Sequence, residues 1–521
     1  MGVVALACAL SAGPARAQGV LWESYTQSAQ TAQAGGNYKE ARRLYGLALK
    51  EAEKLGPNDA RLAMSLQRLG SAYDMEGNYP AAIKLYKRAL GIYSEADWKQ
   101  RHPNIAALLN NMALIYIKQG RYSEAEQMLE KALAIGERRL GSNHPTVANT
   151  LNNMGMLFFH QKKYNEAETM FMRALTIRQR HLGPAHPEVA GSLNNLAWLY
   201  YKEGKFMQAE PYCKQALQIR QSFYGTLHPD VMQTLSNLAA IYKAQGRFTE
   251  AEPVYTQLIE TKEKLRGSLH PSLAQDLFDF GSIELSLQKH QEAQPLFERA
   301  LAIDEHSAGG NRARVASELH SLGTIYEKLG REDQAKPLLR RALALKEKLY
   351  GPAGVSVGMT LNSLADIHFR EGDQTQAGAL YNRAVAIWQQ HPDVDYHNVL
   401  KSAGGLAAVY EHQGRYAESD RLYRQVLGIN EKYWGSDSAE LVPTLNKIAY
   451  CLVQQRRYTA AEPFYRRALK ILEQNAGTGQ PSPEMQYTVK NYSTLLRLLG
   501  RNAQAQLVQM KTTPTQSRRL K

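Results

Sequence analysis

A unit of 42 residues repeats through most of this chain, and no other feature limits its fold as strongly. The pair His-Pro marks the unit and recurs every 42 residues, with its histidine at His102, His144, His186, His228 and His270. Self-similarity at a period of about 20–50 residues is typical of a solenoid, in which each unit stacks on its neighbours. A chain of 521 residues can therefore grow by adding units, without enlarging one hydrophobic core.

Two helices account for one unit, taken here as residues 102–143. Pro103 fits the first turn of a helix, and Gly120 is a suitable stop. Between them, apolar residues follow the spacing of one helix face, at Ala106, Leu109, Met112, Ala113 and Tyr116. Ser123 and Glu126 have the spacing of a capping box, which predicts a second helix that starts at Ser123 and ends near Leu140.

These segments resemble a known repeat family. The run Leu109–Tyr116, the run Gly120–Glu126 and the later Lys131-Ala132-Leu133 resemble a tetratricopeptide repeat, and the 42-residue period with its His-Pro opening resembles the kinesin light chain subfamily. The resemblance implies an all-α solenoid, a right-handed superhelix of about 12 antiparallel helix pairs whose first helices line a concave groove. Because no heptad coiled coil is evident near the N-terminus, the resemblance implies a mode of binding rather than a motor function.

The match to this repeat family is strongest from 102 to 270, and we divide the chain according to the quality of the match. We predict a signal peptide at 1–17, degenerate repeats at 18–101, well-matched repeats at 102–311, degenerate repeats with a cap at 312–510 and a basic, disordered tail at 511–521. The signal peptide rests on an apolar run, Val3–Leu10, followed by the cleavage motif Ala15-Arg16-Ala17. We therefore expect an exported, periplasmic or secreted protein, with a cytoplasmic location as the alternative.

The charge and hydropathy of the chain exclude two kinds of partner. The net charge of +14 is dispersed over the repeats and the tail, whereas proteins that bind nucleic acid usually cluster their basic residues. No apolar run is long enough for a transmembrane helix. We expect neither a nucleic-acid partner nor a membrane span, and the sequence leaves the oligomeric state open.

One polar column lies opposite the apolar face of the first helices. At about 3.6 residues per turn, Asn111 falls on that surface, and its 42-residue echoes are Asn153, Asn195 and Asn237. A side-chain amide can both donate and accept hydrogen bonds, so a line of them could hold the backbone of an extended peptide. The resemblance implies the same use of Asn in the groove. The alternative is that these amides join neighbouring helices.

Further candidates for ligand contact share this surface or flank it. The same face carries Lys118, His160 and Lys202 in one column, and from Lys118 onward that column holds no acidic residue. Trp198 could anchor an apolar ligand side chain or pack between repeats. Arg178 and Arg220 lie on the second helices, where they either complement the helix dipole or face the groove. Together these residues predict a mildly basic groove for acidic segments.

The sequence offers no persuasive catalytic or metal site. Gly354-Val355-Ser356-Val357-Gly358 matches the nucleophile elbow of α/β hydrolases, but that motif requires a preceding strand, and here we expect a loop between helices. The His-Pro histidines are too far apart to share one metal, and capping explains them better. We therefore expect no catalysis, no cofactor and no metal.

The function predicted from the sequence is that of a non-catalytic scaffold that binds extended segments of partner proteins in the groove. An alternative is an envelope-associated assembly factor for polysaccharide synthesis or secretion, in which aromatic groove residues would stack on sugars. An enzyme whose site escapes recognition is a third possibility.

Overall fold

The computed structural model describes residues 14–34, 37–57, 59–95, 103–307, 311–391, 396–475 and 481–512. These residues form 24 α-helices, one short 3₁₀ helix at Ala439–Leu441 and no strand. The helices form 12 consecutive pairs, so the predicted all-α solenoid is confirmed. None of the helices in these ranges has the length and apolar character needed to cross a membrane.

The helices fall into two compact units, which divide between Arg266 and Gly267. The first unit contains α1 (Pro14–Ala34), α2 (Tyr38–Glu53), α3 (Ala60–Met75), α4 (Tyr79–Glu95), α5 (Pro103–Lys118), α6 (Tyr122–Leu140), α7 (Pro145–His160), α8 (Tyr164–Leu182), α9 (Pro187–Lys202), α10 (Phe206–Tyr224), α11 (Pro229–Ala244) and α12 (Phe248–Arg266). The second contains α13 (Ser272–Ser286), α14 (His290–His306), α15 (Arg312–Lys328), α16 (Glu332–Tyr350), α17 (Val355–Arg370), α18 (Gln374–Gln390), α19 (Tyr396–His412), α20 (Tyr416–Trp434), α21 (Val442–Gln454), α22 (Tyr458–Gln474), α23 (Pro483–Leu498) and α24 (Asn502–Met510).

The histidine of the His-Pro pair caps the first helix of a repeat. The Nδ1 atom of His144 accepts a hydrogen bond from the backbone N–H of Thr146 at 3.1 Å, and His186 and His228 do the same two residues ahead. The proline follows at the first helical position, where no N–H is needed. Capping therefore explains these histidines, whereas His102 lies outside the described residues.

The predicted start of the second helices is wrong. Helix α6 begins at Tyr122, so Ser123 lies inside its first turn, and the cap residue Arg121 makes no side-chain capping bond. Instead the Arg121 guanidinium pairs with Glu124 at 2.7 Å and lies 4.4 Å from the Tyr116 ring centre. A cation–π contact and an ion pair thus hold the turn in place of the expected capping box.

The apparent nucleophile elbow also has a structural explanation. Ser356 lies in the first turn of α17 rather than in the expected loop, and no strand precedes it among the described residues. A Cβ atom at Gly358 would come within 2.6 Å of the Trp388 ring, so this glycine is needed for helix packing. No group of three or more potential metal ligands occurs in the part of the chain that the structure describes.

The two ends of the chain are described in part. Residues 1–13, with the apolar run of the predicted signal peptide, and 513–521 of the predicted tail lie outside the described residues. The predicted cleavage motif falls in the first turn of α1. Within the same helix, the Trp22 indole donates to the Ser65 hydroxyl at 2.7 Å, which anchors α1 to α3.

Candidate peptide-binding surface

Four first helices of the first unit present the predicted amide column. Asn111 on α5, Asn153 on α7, Asn195 on α9 and Asn237 on α11 are each half-buried. We call the surface that they share with Lys118, His160, Trp198 and Lys202 the amide face. On α9 the members are Asn195, Trp198 and Lys202, at i, i+3 and i+7, which lie on one side of a helix.

Hydrogen bonds between neighbouring helices connect most of this column. The Asn195 Nδ2 atom donates to the Asn152 Oδ1 atom at 2.8 Å, and Asn237 donates to Asn194 at 2.9 Å. Asn153 donates in the same way to Asn110 at 3.3 Å. The alternative interpretation, in which these amides join helices, therefore accounts for one N–H of each side chain.

These hydrogen bonds leave the second N–H and the carbonyl oxygen of each amide available. An amide has two donor hydrogens and an acceptor oxygen, and these bonds use a single donor. Within the described residues, no hydrogen bond reaches the Oδ1 atoms of Asn153, Asn195 and Asn237. Because the Nδ2 side is held by the preceding helix, the carbonyl side has a fixed orientation and can accept from a ligand.

Asn111 stands outside this network. The first helix of the preceding repeat, α3, is offset from α5 by 43 residues, so Asn110 corresponds to Gln67 and Asn111 to Arg68. The Asn111 amide instead hydrogen-bonds to the buried Tyr86 hydroxyl, which Ser71 also contacts, and burial raises the pKa of Tyr86. The first member of the amide column therefore bonds to a tyrosine, whereas the other three bond to an asparagine.

An aromatic cluster occupies the middle of the amide face. The rings of Trp198 and Tyr201 stack with centres 4.9 Å apart, and the Lys202 ammonium lies 4.5 Å from the Trp198 ring centre. Trp198 is half-buried and Lys202 is exposed. The described residues offer Lys202 no carboxylate partner, so its charge can meet an acidic ligand group.

The other two members of the basic column are less available. The Lys118 Nζ atom pairs with Asp74 at 2.9 Å, which offsets most of its charge locally. His160 is exposed and stacks at 6.4 Å on Tyr122. One repeat upstream of Lys118 the column holds Met75, and the adjacent Glu76 forms an ion pair with Arg42 at 3.0 Å. Positive charge on this surface is therefore concentrated around Lys202.

Arg178 and Arg220 lie inside the stack rather than on the amide face. Arg178 is only 8% exposed; its guanidinium donates to the Ser192 hydroxyl at 2.8 Å and to Asn149 at 2.7 Å. Arg220 is similarly buried and donates to the Thr234 hydroxyl at 2.6 Å. Burial lowers the pKa of both groups. They join a second helix to the next first helix, and we do not include them in the ligand surface proposed below.

The amide column does not continue into the second unit. Its later members are Asp279, Ser321, Ser363, Gly405 and Lys447. The surface of that unit instead carries ion pairs, such as Lys401 with Asp366 at 2.6 Å and Lys447 with Glu411 at 2.9 Å. A surface suited to a peptide backbone is thus a property of the first unit.

Sequence reasoning missed three residues near this surface. Tyr201 completes the aromatic cluster, Asp74 offsets Lys118, and Arg68 occupies the Asn111 column on α3. The period hides Arg68, because the spacing lengthens from 42 to 43 residues between α3 and α5. Tyr201 and Asp74 needed the packing between helices, which the repeat period alone does not give.

Comparison with known proteins agrees with the architecture. A family model described as tetratricopeptide repeat matches residues 23–95, 104–180, 146–222, 188–264, 230–306, 272–348, 311–390 and 395–474. These matches cover most of the chain and both units. They confirm the resemblance noted from the sequence.

The curated relatives share a smaller part of the chain. Photosystem I assembly protein Ycf3 of Synechococcus sp. (strain CC9605) is 33% identical over 100 residues, which is 19% of this chain and 50% of that protein. The same protein of Prochlorococcus marinus (strain NATL2A) is 32% identical over 100 residues, with the same coverage. The chain thus spans half the length of the curated relatives that it matches.

Three solved structures are also similar to parts of this chain. BtubC (BKLC) from P. vanneervenii is 28% identical, covers 47% of this chain and 92% of its own, and has a TM-score of 0.36. A Podosopora anserina protein described as a kinesin light chain with nearly identical TPR-like repeats is 26% identical, with coverage of 39% and 96% and a TM-score of 0.36. The apo quorum sensor NprR from B. thuringiensis is 17% identical, with coverage of 68% and 99% and a TM-score of 0.42.

Proposed function

The chain belongs to the tetratricopeptide repeat family, and on this premise we propose that it is a non-catalytic scaffold that binds extended segments of partner proteins across the amide face. Tetratricopeptide repeat folds generally serve as protein-interaction scaffolds. The observation that supports this use of the face is the row of oriented amide oxygens on Asn153, Asn195 and Asn237. Such oxygens accept backbone N–H groups whatever the ligand sequence.

The spacing of the row suits an extended chain. Packed helices lie about 8–10 Å apart, and an extended peptide advances about 3.3 Å per residue. Successive amide oxygens would therefore meet about every third residue of a bound segment. Backbone recognition of this kind supplies affinity, and side-chain contacts supply selectivity.

The cluster around Trp198 supplies that selectivity. A half-buried indole stacked on Tyr201 offers a broad apolar surface, and the unpaired Lys202 ammonium lies directly over it. An apolar ligand residue next to an acidic one would contact both groups. We therefore expect bound segments to combine an apolar anchor with a carboxylate.

A matched pair of variants tests the amide row. Asn195→Ala and Asn152→Ala both delete the 2.8 Å bond between α7 and α9, but only Asn195→Ala removes the outward oxygen. Peptides are first selected on the wild-type protein from a displayed library of random 12-residue sequences. Isothermal titration should then show a threefold to tenfold loss of affinity for Asn195→Ala, roughly the worth of one hydrogen bond, and a change within about twofold for Asn152→Ala.

Equal losses in the two variants, with equal melting temperatures, would show that the amides serve the stack alone. The stacked aromatic pair favours a second candidate, an envelope-associated assembly factor that handles polysaccharide. A library that yields no peptide, together with binding of cellohexaose or chitohexaose that Trp198→Ala abolishes, would favour this candidate.

We also propose that the protein is exported, because an apolar run and an A-x-A motif precede Gln18 in the sequence. The expected result is a mature protein that begins at Gln18 when the full chain is expressed in a bacterium with a periplasm. N-terminal sequencing of the purified protein checks this. Recovery of a chain that still begins at Met1 would contradict export and favour a cytoplasmic scaffold.

A further inference from the structure

The C-terminal ends of the second helices form a row in the first unit. The row consists of the last turns of α6, α8, α10 and α12 and of the loops after the first three, at residues 137–144, 179–186, 221–228 and 263–266. The loop after α6 is held to α8, because the Arg173 guanidinium donates to the Ser142 carbonyl at 3.3 Å. The loop after α8 lies against α10, where the ring centres of His186 and Phe223 are 6.4 Å apart. We call this row the loop edge, and it shares no residue with the amide face.

Large apolar side chains are exposed on the loop edge. Phe223 is 60% exposed, Leu227 is 49% exposed and Leu265 is 38% exposed. The Tyr224 ring stacks on the His228 ring at 3.9 Å, and Phe223 meets Tyr224 edge-on at 4.9 Å, so these rings hold one another in place. Exposed apolar side chains that gather in one place are typical of a surface that contacts a partner.

The second unit has the same composition at the same positions of its repeats. Helix α16 ends in Lys348-Leu349-Tyr350, and α20 ends in Lys432-Tyr433-Trp434. The last turns of α10, α12, α16 and α20, with the loops after them, hold half of the large apolar side chains that are exposed in the described residues. The helix dipole favours a base at these ends, but it does not account for exposed rings.

The charge of the loop edge is positive. Its four segments contain five Lys or Arg and two Glu, which gives a net charge of +3 with neutral histidines. Glu137, one of the two acids, pairs with Arg173 at 2.5 Å. Four of the bases are exposed and have no ion-pair partner within the described ranges: Arg138, Arg139, Arg180 and Lys264.

From this arrangement we propose that the loop edge of the first unit docks on an anionic membrane surface. Phe223, Tyr224 and Leu227 enter the headgroup region, and the neighbouring bases contact lipid phosphates. Aromatic rings and leucines beside Lys and Arg are the composition of surfaces that lie at a membrane interface. Side chains that protrude singly from helix ends enter a lipid surface without a complementary pocket, and the unpaired bases complement its negative charge. This contact is independent of the proposed function, because it uses no residue of the amide face.

Co-sedimentation of the full chain with lipid vesicles tests the proposal. We expect the protein to bind vesicles of phosphatidylcholine mixed with phosphatidylglycerol, and to bind vesicles of phosphatidylcholine alone much more weakly. Binding should weaken as the salt concentration rises, because salt screens exposed charges. The apolar run Val3–Leu10 is present in every variant described below, so it cannot account for a difference between them.

Two matched pairs of variants locate the contact. Phe223→Ser and Met207→Ser each replace an exposed apolar side chain of α10, in its last and its first turn. Arg180→Gln and Lys163→Gln each remove an exposed base, in the last turn of α8 and directly before its first turn. We expect Phe223→Ser to lower the partition coefficient about tenfold and Arg180→Gln to lower it about threefold to fivefold.

The two control variants, Met207→Ser and Lys163→Gln, should change the partition coefficient less than about twofold. Each site lies a helix length from the loop edge, about 28 Å for the 19 residues of α8 or α10. This distance exceeds the Debye length at physiological salt. All four substituted side chains are exposed, so circular dichroism should show equal melting temperatures.

Absence of binding to the anionic vesicles would overturn the proposal, as would equal losses within each pair of variants. Sedimentation velocity without lipid tests a different occupant, a second copy of this chain. Self-association that Phe223→Ser abolishes, in a protein that leaves the vesicles unbound, would assign the loop edge to that second copy and overturn the lipid assignment.

Discussion

Arg178→Ala should lower the free energy of unfolding of the first unit by about 3 kcal/mol, within the range for breaking a buried charged contact. Arg178 is 8% exposed, and its guanidinium connects three helices, with bonds to Asn149 on α7 and Ser192 on α9. It also donates to the backbone carbonyl of Glu188 at 3.3 Å. Truncation would remove this donor from the buried Ser192 hydroxyl and open a cavity between the helices.

Arg173→Ala is the matched control, because it removes a base from the same helix at an exposed site. Arg173 is 38% exposed and pairs with Glu137 at 2.5 Å, so its loss should cost less than about 1 kcal/mol. Urea denaturation followed by circular dichroism measures both variants. Hydrogen exchange should show opening at α8 and α9 in Arg178→Ala alone. Similar losses in the two variants would mean that burial of Arg178 contributes little.

The contact that Arg178 makes with Ser192 recurs at the same position of other repeats. Arg220 donates to Thr234, and Lys346 donates to Thr360 at 2.9 Å, in each case 14 residues ahead. The donor lies on a second helix and the acceptor on the next first helix. These contacts set the position of α9 and α11, and therefore of Asn195 and Asn237 on the amide face. If the amide face binds peptides as proposed, these basic residues affect binding only through the placement of the first helices.

The repeat period predicts the helices because it preserves apolar spacing, and it predicts the histidine caps because the geometry of a cap is local. It also places the asparagines on one surface. It does not predict that Asn195 meets Asn152, since that contact depends on how α7 and α9 are offset. For the same reason Arg178 could be assigned to the groove or to the helix dipole from sequence, whereas the structure places it between helices.

Arg68 shows a further limit of the period. The repeat lengthens from 42 to 43 residues between α3 and α5, so Arg68 aligns with Asn111, and an exact count of 42 places it in the wrong column. Columns in the repeats that match the period least well therefore need the structure before they can be assigned.

In the second unit, one contact between a second helix and the next first helix has the opposite arrangement of charges. Asp304 occupies the column of Arg178 and Arg220, and Arg314 binds it through two bonds of 2.5 Å. Glu318 takes the place of Ser192 and is fully buried. Its nearest cation is Arg314, at 3.6 Å. Burial, followed by the neighbouring Asp304 charge, raises the pKa of Glu318 to about 8.

This shift predicts that the second unit loses stability as the pH rises. Below the ordinary pKa of about 4.5, Glu318 is protonated in both the folded and the unfolded chain and has no effect. Between pH 4.5 and 8 the unfolded chain releases this proton while the folded chain keeps it, so the free energy of unfolding falls with rising pH. From pH 6 to pH 8 we expect a loss of about 2 kcal/mol, given roughly 1.4 kcal/mol per pKa unit.

Glu318→Gln isolates this contribution, because glutamine has nearly the same shape and no titratable proton. Two other buried groups of this unit are the same in both proteins: Lys346, whose pKa burial lowers to about 8, and His320, whose pKa burial lowers to about 3, so that its contribution to stability rises with pH up to about 6.5. Their contributions cancel in the difference between the two proteins. Urea denaturation at pH 6, 7 and 8 should therefore show that the wild-type protein loses about 2 kcal/mol relative to Glu318→Gln, with the variant more stable at pH 8. Glu305→Gln, which alters an exposed carboxylate paired with Arg341, should keep the wild-type slope. Equal pH dependence in the wild-type protein and Glu318→Gln would mean that Glu318 is ionised within the fold, with Arg314 shared between two buried carboxylates.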